Sequence, residues 1–559
     1  AKALQESGME HDEAYRMVSE THGLYIPLKR KIFKGAYVKH PRWIDELPQC
    51  VLQTAMLTSQ WTDDEGDQHF IETLSGLKYA DFLNVVLKYS KDEEPFIHVS
   101  KNRGYQEYCL ANTINTWDYV DLDTDSDINS EIWQRYKRLF VEVLCDAEKL
   151  LTYTSQEKIV AQLKGEKLYW SSELRHGIIK SLIVKTCYKK HQRCQNAADA
   201  LVKEVLKSVT TPERWKYIAC FFPNLCEASP SAVLDRLKDE NRKPTGLMDV
   251  LKESSDGDLF GRQDDYYFIA GIEEILVLPE YVASALDCLL RLDDLADDKV
   301  QRLVKPVLNR DFFVRRNVTA LTTDDRLYFA ARAFEVDRNF WNVLYEAIPI
   351  YHNAFLDFSV PDYRTYVKPS SIDDGDAYKL IKEYVKLLVL HLEANSFRYQ
   401  QFMELYSKID DELRALFTAR FITDIDQMDD DGKLIIYNCI RETLYDHRYF
   451  SSTEWAMEEE LLSRLTELME KIKFENPAYY YECYFGGNNN TVLLHPVVRD
   501  EEDSRNLNEL EIEKIRGQKV KEFQNKKYDL AVLAKLCAKE SWSCLGNDIA
   551  EYWQPSGFD

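Results

Sequence analysis

Four groups of residues have the types and spacing that chemistry would use. Asp121, Asp123, Asp125 and Asp127 alternate as the first carboxylates of a calcium loop do. Such a loop needs a glycine at its sixth position for the turn and a bidentate glutamate at its twelfth. Those places hold Ser126 and Ile132, so the run reads as cap and loop carboxylates. A second run, Asp424, Asp426 and Asp429–Asp431, meets Ile435 at its twelfth place and reads the same way. Cys187, His191 and Cys194 have the spacing of half a zinc site, but a structural zinc takes four ligands and no second pair follows. They read as thiols buried in a helical turn, and no metal is expected. His447, inside Tyr445-Asp446-His447-Arg448-Tyr449-Phe450, has the aromatic neighbours of a packed structural histidine.

The longer signatures of catalysis are missing from the sequence. There is no Gly-x-x-x-x-Gly-Lys-Ser/Thr loop to cradle phosphates, no Gly-x-Gly-x-x-Gly, no Gly-x-Ser-x-Gly elbow and no His-Glu-x-x-His helix. No catalytic residue is assigned, and the pattern points to binding. Charge narrows the partners: 71 Lys and Arg against 95 Asp and Glu leave a formal net charge of −24, which repels phosphate backbones. No run of about 18 apolar residues occurs, so no membrane partner or spanning helix is expected. The 12 cysteines are scattered without a Cys-x-x-Cys pair, which fits reduced thiols and a cytoplasmic setting. With no secretory signal, the sequons at Asn317 and Asn489 read as chance.

The elements that would carry these residues are mainly helices. Gly is 19 and Pro 16 of 559 residues, about half of ordinary usage, which argues against sandwiches, barrels and propellers. Residues 1–34 read as helices, with Gly8 as a C-cap and Pro27 in the first turn of a further helix. Residues 35–110 read as a winged helix: helical stretches over Trp43–Thr58, Asp67–Ser75 and Tyr79–Ser90, then a β-hairpin from Phe96–Val99 to Tyr105–Cys109 around the turn Lys101–Gly104. Its basic residues are interleaved with Asp63, Asp64, Glu65, Asp67, Asp92, Glu93 and Glu94, so it is not expected to bind DNA. From 111 to 559 helix follows helix, including Ser172–Val184, Ser229–Leu237, Pro279–Leu292 and Glu458–Ile472. A helix capped by Asp374 or Asp376 carries Ile381, Tyr384, Val385, Leu388 and Leu392 on one face and ends at Asn395. Helix pairs recurring every 35–45 residues or so read as an irregular α-solenoid, TPR- or HEAT-like. Longer loops are expected near 358–374 and 486–507. The fold expected is therefore mostly all-α, a solenoid preceded by a small winged helix with one hairpin.

Several segments then resemble a known family. Trp170-Ser171-Ser172-Glu173-Leu174-Arg175-His176-Gly177 resembles a Ser-x-Leu-Arg-x-Gly motif. Trp215 with Leu225-Cys226-Glu227-Ala228-Ser229-Pro230 resembles Trp…Leu-x-Glu-Ala-x-Pro, and the stretch Gly271–Val282 resembles Leu-Glu-x-Leu-Ala-x-x-Pro-x-Tyr-Leu. His447-Arg448-Tyr449-Phe450 with Trp455-Ala456-Met457 resembles His-Arg-x-Phe…Trp-Ala-Leu-Pro. These motifs, in this order, resemble the C-terminal helical sensors of the bacterial antiviral STAND NTPases, the Avs proteins, similar in architecture to NOD-like receptors.

The resemblance implies a fragment of a longer protein. Residues 1–34 would be NTPase lid helices, 35–110 the winged helix and 111–559 the sensor array. An ATPase and an N-terminal effector, a nuclease in some members, would precede them. ATP or ADP with Mg would be bound by the full-length protein and not by this chain alone. Gly23-Leu24-Tyr25-Ile26-Pro27-Leu28 resembles the Gly-Leu-Pro-Leu segment whose proline meets the adenine nucleotide, with two residues more between its ends. Pro27 and Arg30 are therefore the cofactor-side candidates, Arg30 because a guanidinium suits phosphate. The Met-His-Asp signature of the resting-state lock is absent, leaving His69 and His98 as stand-ins. A viral protein would bind the array and trigger oligomerisation. The densest aromatic group, Tyr479-Tyr480-Tyr481 with Tyr484-Phe485, offers Tyr480, Tyr481 and Tyr484 as partner-binding candidates. The rival reading is an α-solenoid adaptor without a nucleotide switch; a helical enzyme with an unrecognised site is a third.

Lacking a phosphate loop, the chain by itself is expected to hydrolyse no nucleotide. A steady ATPase rate that survives repurification would contradict this.

Overall fold

The computed structural model describes residues 2–20, 41–102, 105–111, 116–117, 131–146, 148–153, 155–189, 192–253, 264–348, 359–481 and 521–528, with single residues at 28, 32, 514 and 518. These residues are mostly helical: 24 α-helices accompany a small antiparallel three-stranded sheet and a two-residue strand pair. Among the described residues no helix is long and apolar enough to cross a membrane. The chain divides into two compact units, residues 1–380 and 381–559.

The first unit opens with α1 (Lys2–Glu6) and α2 (His11–Glu20). Then come α3 (Arg42–Glu46), α4 (Gln49–Thr58), β1 (Gln60–Thr62), α5 (Glu65–Ser75), α6 (Tyr79–Leu87), β2 (Ile97–Asn102) and β3 (Tyr105–Leu110). Strand β3 lies between β1 and β2, antiparallel to both, so that Trp61 and Val99 both face Tyr108 across the ladder. Helix, strand, two helices, then a hairpin, with the first strand added beside the last, is the connectivity of a winged helix. The hairpin falls where alternation predicts it, except that Lys101 and Asn102, expected in the turn, pair with Gln106 and Tyr105 in the ladder. The expected helix over 43–58 is broken in two at Pro48, since the residue before a proline is pushed out of the helical region: Leu47 has ψ 136°. Strand β1 has only three residues, too few for alternation to show. Trp61 stacks on Tyr108 at 5.6 Å and anchors the sheet to the helices beneath.

Beyond it lie α7 (Glu131–Cys145), α8 (Ser155–Leu163), α9 (Ser172–Lys189), α10 (Gln192–Lys207), α11 (Pro212–Ile218), α12 (Phe222–Ala228), α13 (Pro230–Arg242) and α14 (Leu247–Glu253). They are followed by α15 (Asp264–Leu276), α16 (Val282–Leu295), α17 (Asp298–Phe312), β4 (Arg316–Asn317), α18 (Thr323–Val336), α19 (Phe340–Glu346) and β5 (Ser370–Ser371), which pairs with β4. They stack in two rows. One row runs α5, α7, α10, α13, α16, α18, each helix packed on the next; the other runs α4, α9, α12, α15, α17, α19. This is the layout of an α-solenoid, and its first rungs, α4 and α5, belong to the winged helix.

Local chemistry sets the helix starts. Thr211 and Ser229 cap α11 and α13 through their hydroxyls, each followed by proline as the first helical residue. Thr322 and Asp325 form a reciprocal capping box on α18. The helix expected from Pro279 begins instead at Val282, after a turn that holds Pro279 and Glu280. Inside α15, Gly271 faces α12 so closely that a β-carbon would lie 2.8 Å from both Cys226 Sγ and Phe222.

The helix α20 (Asp374–Leu390) is capped by Asp373, whose carboxylate accepts from the Gly375 and Asp376 N–H groups, and not by Asp374 or Asp376. Asn395 does not end it either: its side chain accepts from Phe397 and Arg398 and starts the next helix. In the second unit α21 (Ser396–Tyr406), α22 (Asp411–Ile425), α23 (Asp430–Tyr449) and α24 (Glu459–Lys471) surround an aromatic core, with Phe402 stacked on Phe417 at 5.0 Å. A 3-10 turn, Pro477–Tyr481, follows them.

Candidate functional site

A set of interlocking contacts joins the winged helix to the array. Along α9, Gly177 lies against the turn between α4 and β1: a β-carbon there would be 2.4 Å from the Thr58 carbonyl oxygen and 2.6 Å from that of Gln60. One turn further on, the Ser181 and Ser59 hydroxyls are 2.7 Å apart. Gly66, at the start of α5, meets the Tyr169 carbonyl just as closely. Two glycines thus let backbone touch backbone on both sides of the joint.

Asp67 sits in the middle, fully buried. It accepts the backbone N–H groups of Thr62 at 2.8 Å and Ser171 at 2.9 Å, and the hydroxyls of Thr62 and Ser171 at 3.0 and 2.5 Å. One carboxylate therefore ties β1 of the winged helix to the first turn of α9. Burial pushes its carboxyl up from the ordinary 3.8 to about 6, against the pull of these hydrogen bonds. Beside it the buried Arg175 donates to the Val143 carbonyl and to Glu148, and Glu148 accepts from the Tyr169 and Trp170 N–H groups. Arg135 of α7 reaches the last carbonyls of α5, and the Tyr136 hydroxyl donates to the Ile178 carbonyl. What the arrangement can do is hold two backbones in one register.

Residues singled out in the sequence occupy this joint or the row contacts. Trp170, Ser171, Arg175 and Gly177 of the first motif form it. Trp215 is fully buried, donates to the Thr245 hydroxyl and lies under the Arg236 guanidinium at 4.9 Å. His69 lies 6.2 Å from the Trp170 ring, and His98 pairs with Cys109 across β2 and β3. His447 accepts from the Met457 N–H and meets the Trp455 ring at 5.1 Å, as a packed histidine does.

Tyr481 is buried, with its ring against Phe523 and Tyr528; Tyr480 is half-buried, packs on Phe474 and Tyr437 and donates to the Ile472 carbonyl. Tyr484, Pro27, Arg30, His191, the 121–127 carboxylate run and the 486–507 loop lie outside the described residues. The second carboxylate run is engaged in structure. Asp424 accepts from the Tyr399 hydroxyl and the Ala394 N–H, Asp429 caps α23, and Asp430 accepts from Glu475 and Asn476. Among the described residues no group of three or more His, Cys, Asp or Glu is placed to hold a metal ion. Asp67, counted in the sequence among surface acids, is the most enclosed of them. Its spacing from Phe70, Ile71 and Leu74, which puts it on the apolar stripe of α5, is the signal that would have found it.

No protein-family model matches the chain, and no curated protein matches it. Among solved structures, the crystal structure of an engineered protein aligns at 12% identity over 76% of this chain and 99% of that one, with a TM-score of 0.18. A superposition that loose says nothing about what the chain does.

Two substitutions test the joint by denaturant unfolding. Gly177→Ala should destabilise by about 2 kcal/mol or more, although alanine favours a helix by about 1 kcal/mol, because the opposing atoms are backbone and cannot move aside. Asp67→Ala strands two buried N–H groups and should cost about 2–4 kcal/mol. Since the native carboxyl titrates above its unfolded value, its stabilising contribution is complete below the unfolded pKa and is lost as pH rises through about 6. The cost of Asp67→Ala should therefore be larger at pH 5 than at pH 7.5, by about 1 kcal/mol. A pH-independent difference would contradict the burial of an ionisable Asp67.

Proposed function

We propose that this chain is the winged-helix and target-sensing portion of an antiviral STAND-type ATPase, acting in the cytoplasm. One observation carries the reading: the two helix rows continue without a break from the winged helix into the array, through the joint built on Gly177 and Asp67. A protein-binding array is useful as a sensor only if strain in it reaches the element that holds the resting state. A joint of touching backbones transmits displacement where a flexible linker would absorb it. The motif resemblance adds the family, and the missing phosphate loop assigns ATP, Mg and the effector to parts of the protein outside this chain.

In this reading a viral protein binds the open form better than the closed one and shifts the population between them. The nucleotide domain is then free to oligomerise. The acidic winged helix serves as the lock and makes no contact with nucleic acid.

The test uses the full-length protein with candidate phage proteins, followed by mass photometry. Oligomers are expected only when target and ATP are both present. Gly177→Ala in that protein should keep target binding and lose target-triggered assembly. An adaptor without a switch would bind the same target with no nucleotide-dependent change in mass, and that result would overturn the proposal.

A further inference from the structure

Residues 359–368 cross the second helix row with no regular secondary structure, yet are held at several points. Glu227, buried at the end of α12, accepts the successive N–H groups of Tyr363 at 2.5 Å and Arg364 at 2.7 Å through one oxygen. The Arg364 guanidinium lies over the last carbonyls of α12, donating to Glu227 O and Ala228 O, and reaches the Gln195 side chain at 2.7 Å. Those carbonyls have no partner within the helix, and a cation is favoured at that end. Lys180 of α9 sits 5.8 Å from the centre of the Tyr363 ring, and the Val367 N–H donates to the Val277 carbonyl.

Most of these contacts read backbone N–H groups and one arginine, the pattern by which a protein reads a bound peptide. Glu227 and Glu274 of the face lie close to Asp362 of the strap, and burial together with these carboxylate neighbours pushes Glu274 up to about 9. Burial pushes Glu227 up to about 7 even though the strap's N–H groups pull it down. A group that replaces the strap must supply the same donors, because a buried carboxylate left without them is costly.

We propose that this face is a peptide-recognition site of which residues 359–368 are the internal occupant, and that the partner it fits is a polypeptide segment presenting two successive backbone N–H groups and an arginine. The inference rests on the sensing reading only in taking the incoming segment to belong to the target. Because the occupant is tethered, its effective concentration is on the order of millimolar. A segment arriving from outside finds the site closed unless further contacts on the array add to its affinity. That is a threshold against weak, non-specific peptides.

The experiment needs neither target nor nucleotide, so its failure leaves the sensing reading standing. A fluorescent peptide with the sequence of residues 359–368 is titrated into the whole chain and into its Arg364→Ala variant, and hydrogen exchange is followed in both. The variant should release the strap, so that the Tyr363 and residue-364 amides exchange about tenfold faster or more, and it should bind the peptide about tenfold or more tighter than the unaltered chain. A peptide with alanine in place of Arg364 should bind neither. Should Arg364→Ala fail to fold by circular dichroism, Arg364→Lys, which loses the guanidinium fork and leaves the face unaltered, serves the same comparison. Equal binding to both chains, no binding to a variant whose strap is released, or unchanged strap protection would each overturn the proposal.

Discussion

How closely α9 lies on the turn between α4 and β1 decides where the helical array can start. At Gly177 the separation leaves no room for a β-carbon, so the register of α9 on the winged helix is fixed to within one residue. The rest of that helix follows in steps of four. Ser181 meets Ser59, and Lys185 lies 4.6 Å from the Trp133 ring. The opposite side of α9 buries Ile179 and Ile183. A helix enclosed on all sides has no single polar face, which is why α9 alone would read as weakly amphipathic while holding two domains' worth of structure in place.

The carboxylates are the second organising feature. The strong negative charge invites the view that they are surface groups, and many are. Yet at the breaks between helices the same device recurs: one carboxylate accepts two or more backbone N–H groups from neighbouring segments. Asp67 does so for Thr62 and Ser171, Glu148 for Tyr169 and Trp170, and Glu227 for Tyr363 and Arg364. Glu240 accepts from Thr245, Gly246 and Leu247, and Asp430 from Glu475 and Asn476. A chain poor in glycine and proline makes few tight turns that satisfy their own backbone. Buried donors at its breaks then need external acceptors, and Asp and Glu supply them.

This explains what could be read in the sequence and what could not. Helix content, the hairpin and the existence of paired helices follow from local periodicity, which is a property of ten or so consecutive residues. Strand β1 and the break at Pro48 lie at the edge of that signal. The joint is of another kind. Asp67 and Ser171 are 104 positions apart, and nothing in either neighbourhood requires the other. Resemblance found one half of it, in Ser171, Arg175 and Gly177; the other half shows only as a carboxylate on an apolar stripe. The tyrosines 480 and 481 show the converse. A dense aromatic run is chemically suited to an interface and to a core alike, and the rings that meet it, Phe474 and Phe523, are not legible in the run itself.

The same distinction bears on how partners are chosen. Ser171, Gly177, Trp215, Glu227 and Gly271, the residues that carry the motif resemblance in the first unit, are all spent on holding strands, rows and strap together. A motif of this kind describes how an array is built, and two arrays could share it while binding unrelated proteins. In the proposed sensing role, identity of the partner would be written on side chains that the frame leaves exposed. On the first unit those include Tyr266, Tyr328 and Tyr378, each more than half exposed. In that role the frame and the reading surface would be encoded in different residues, so that a change of target would leave the joint in place.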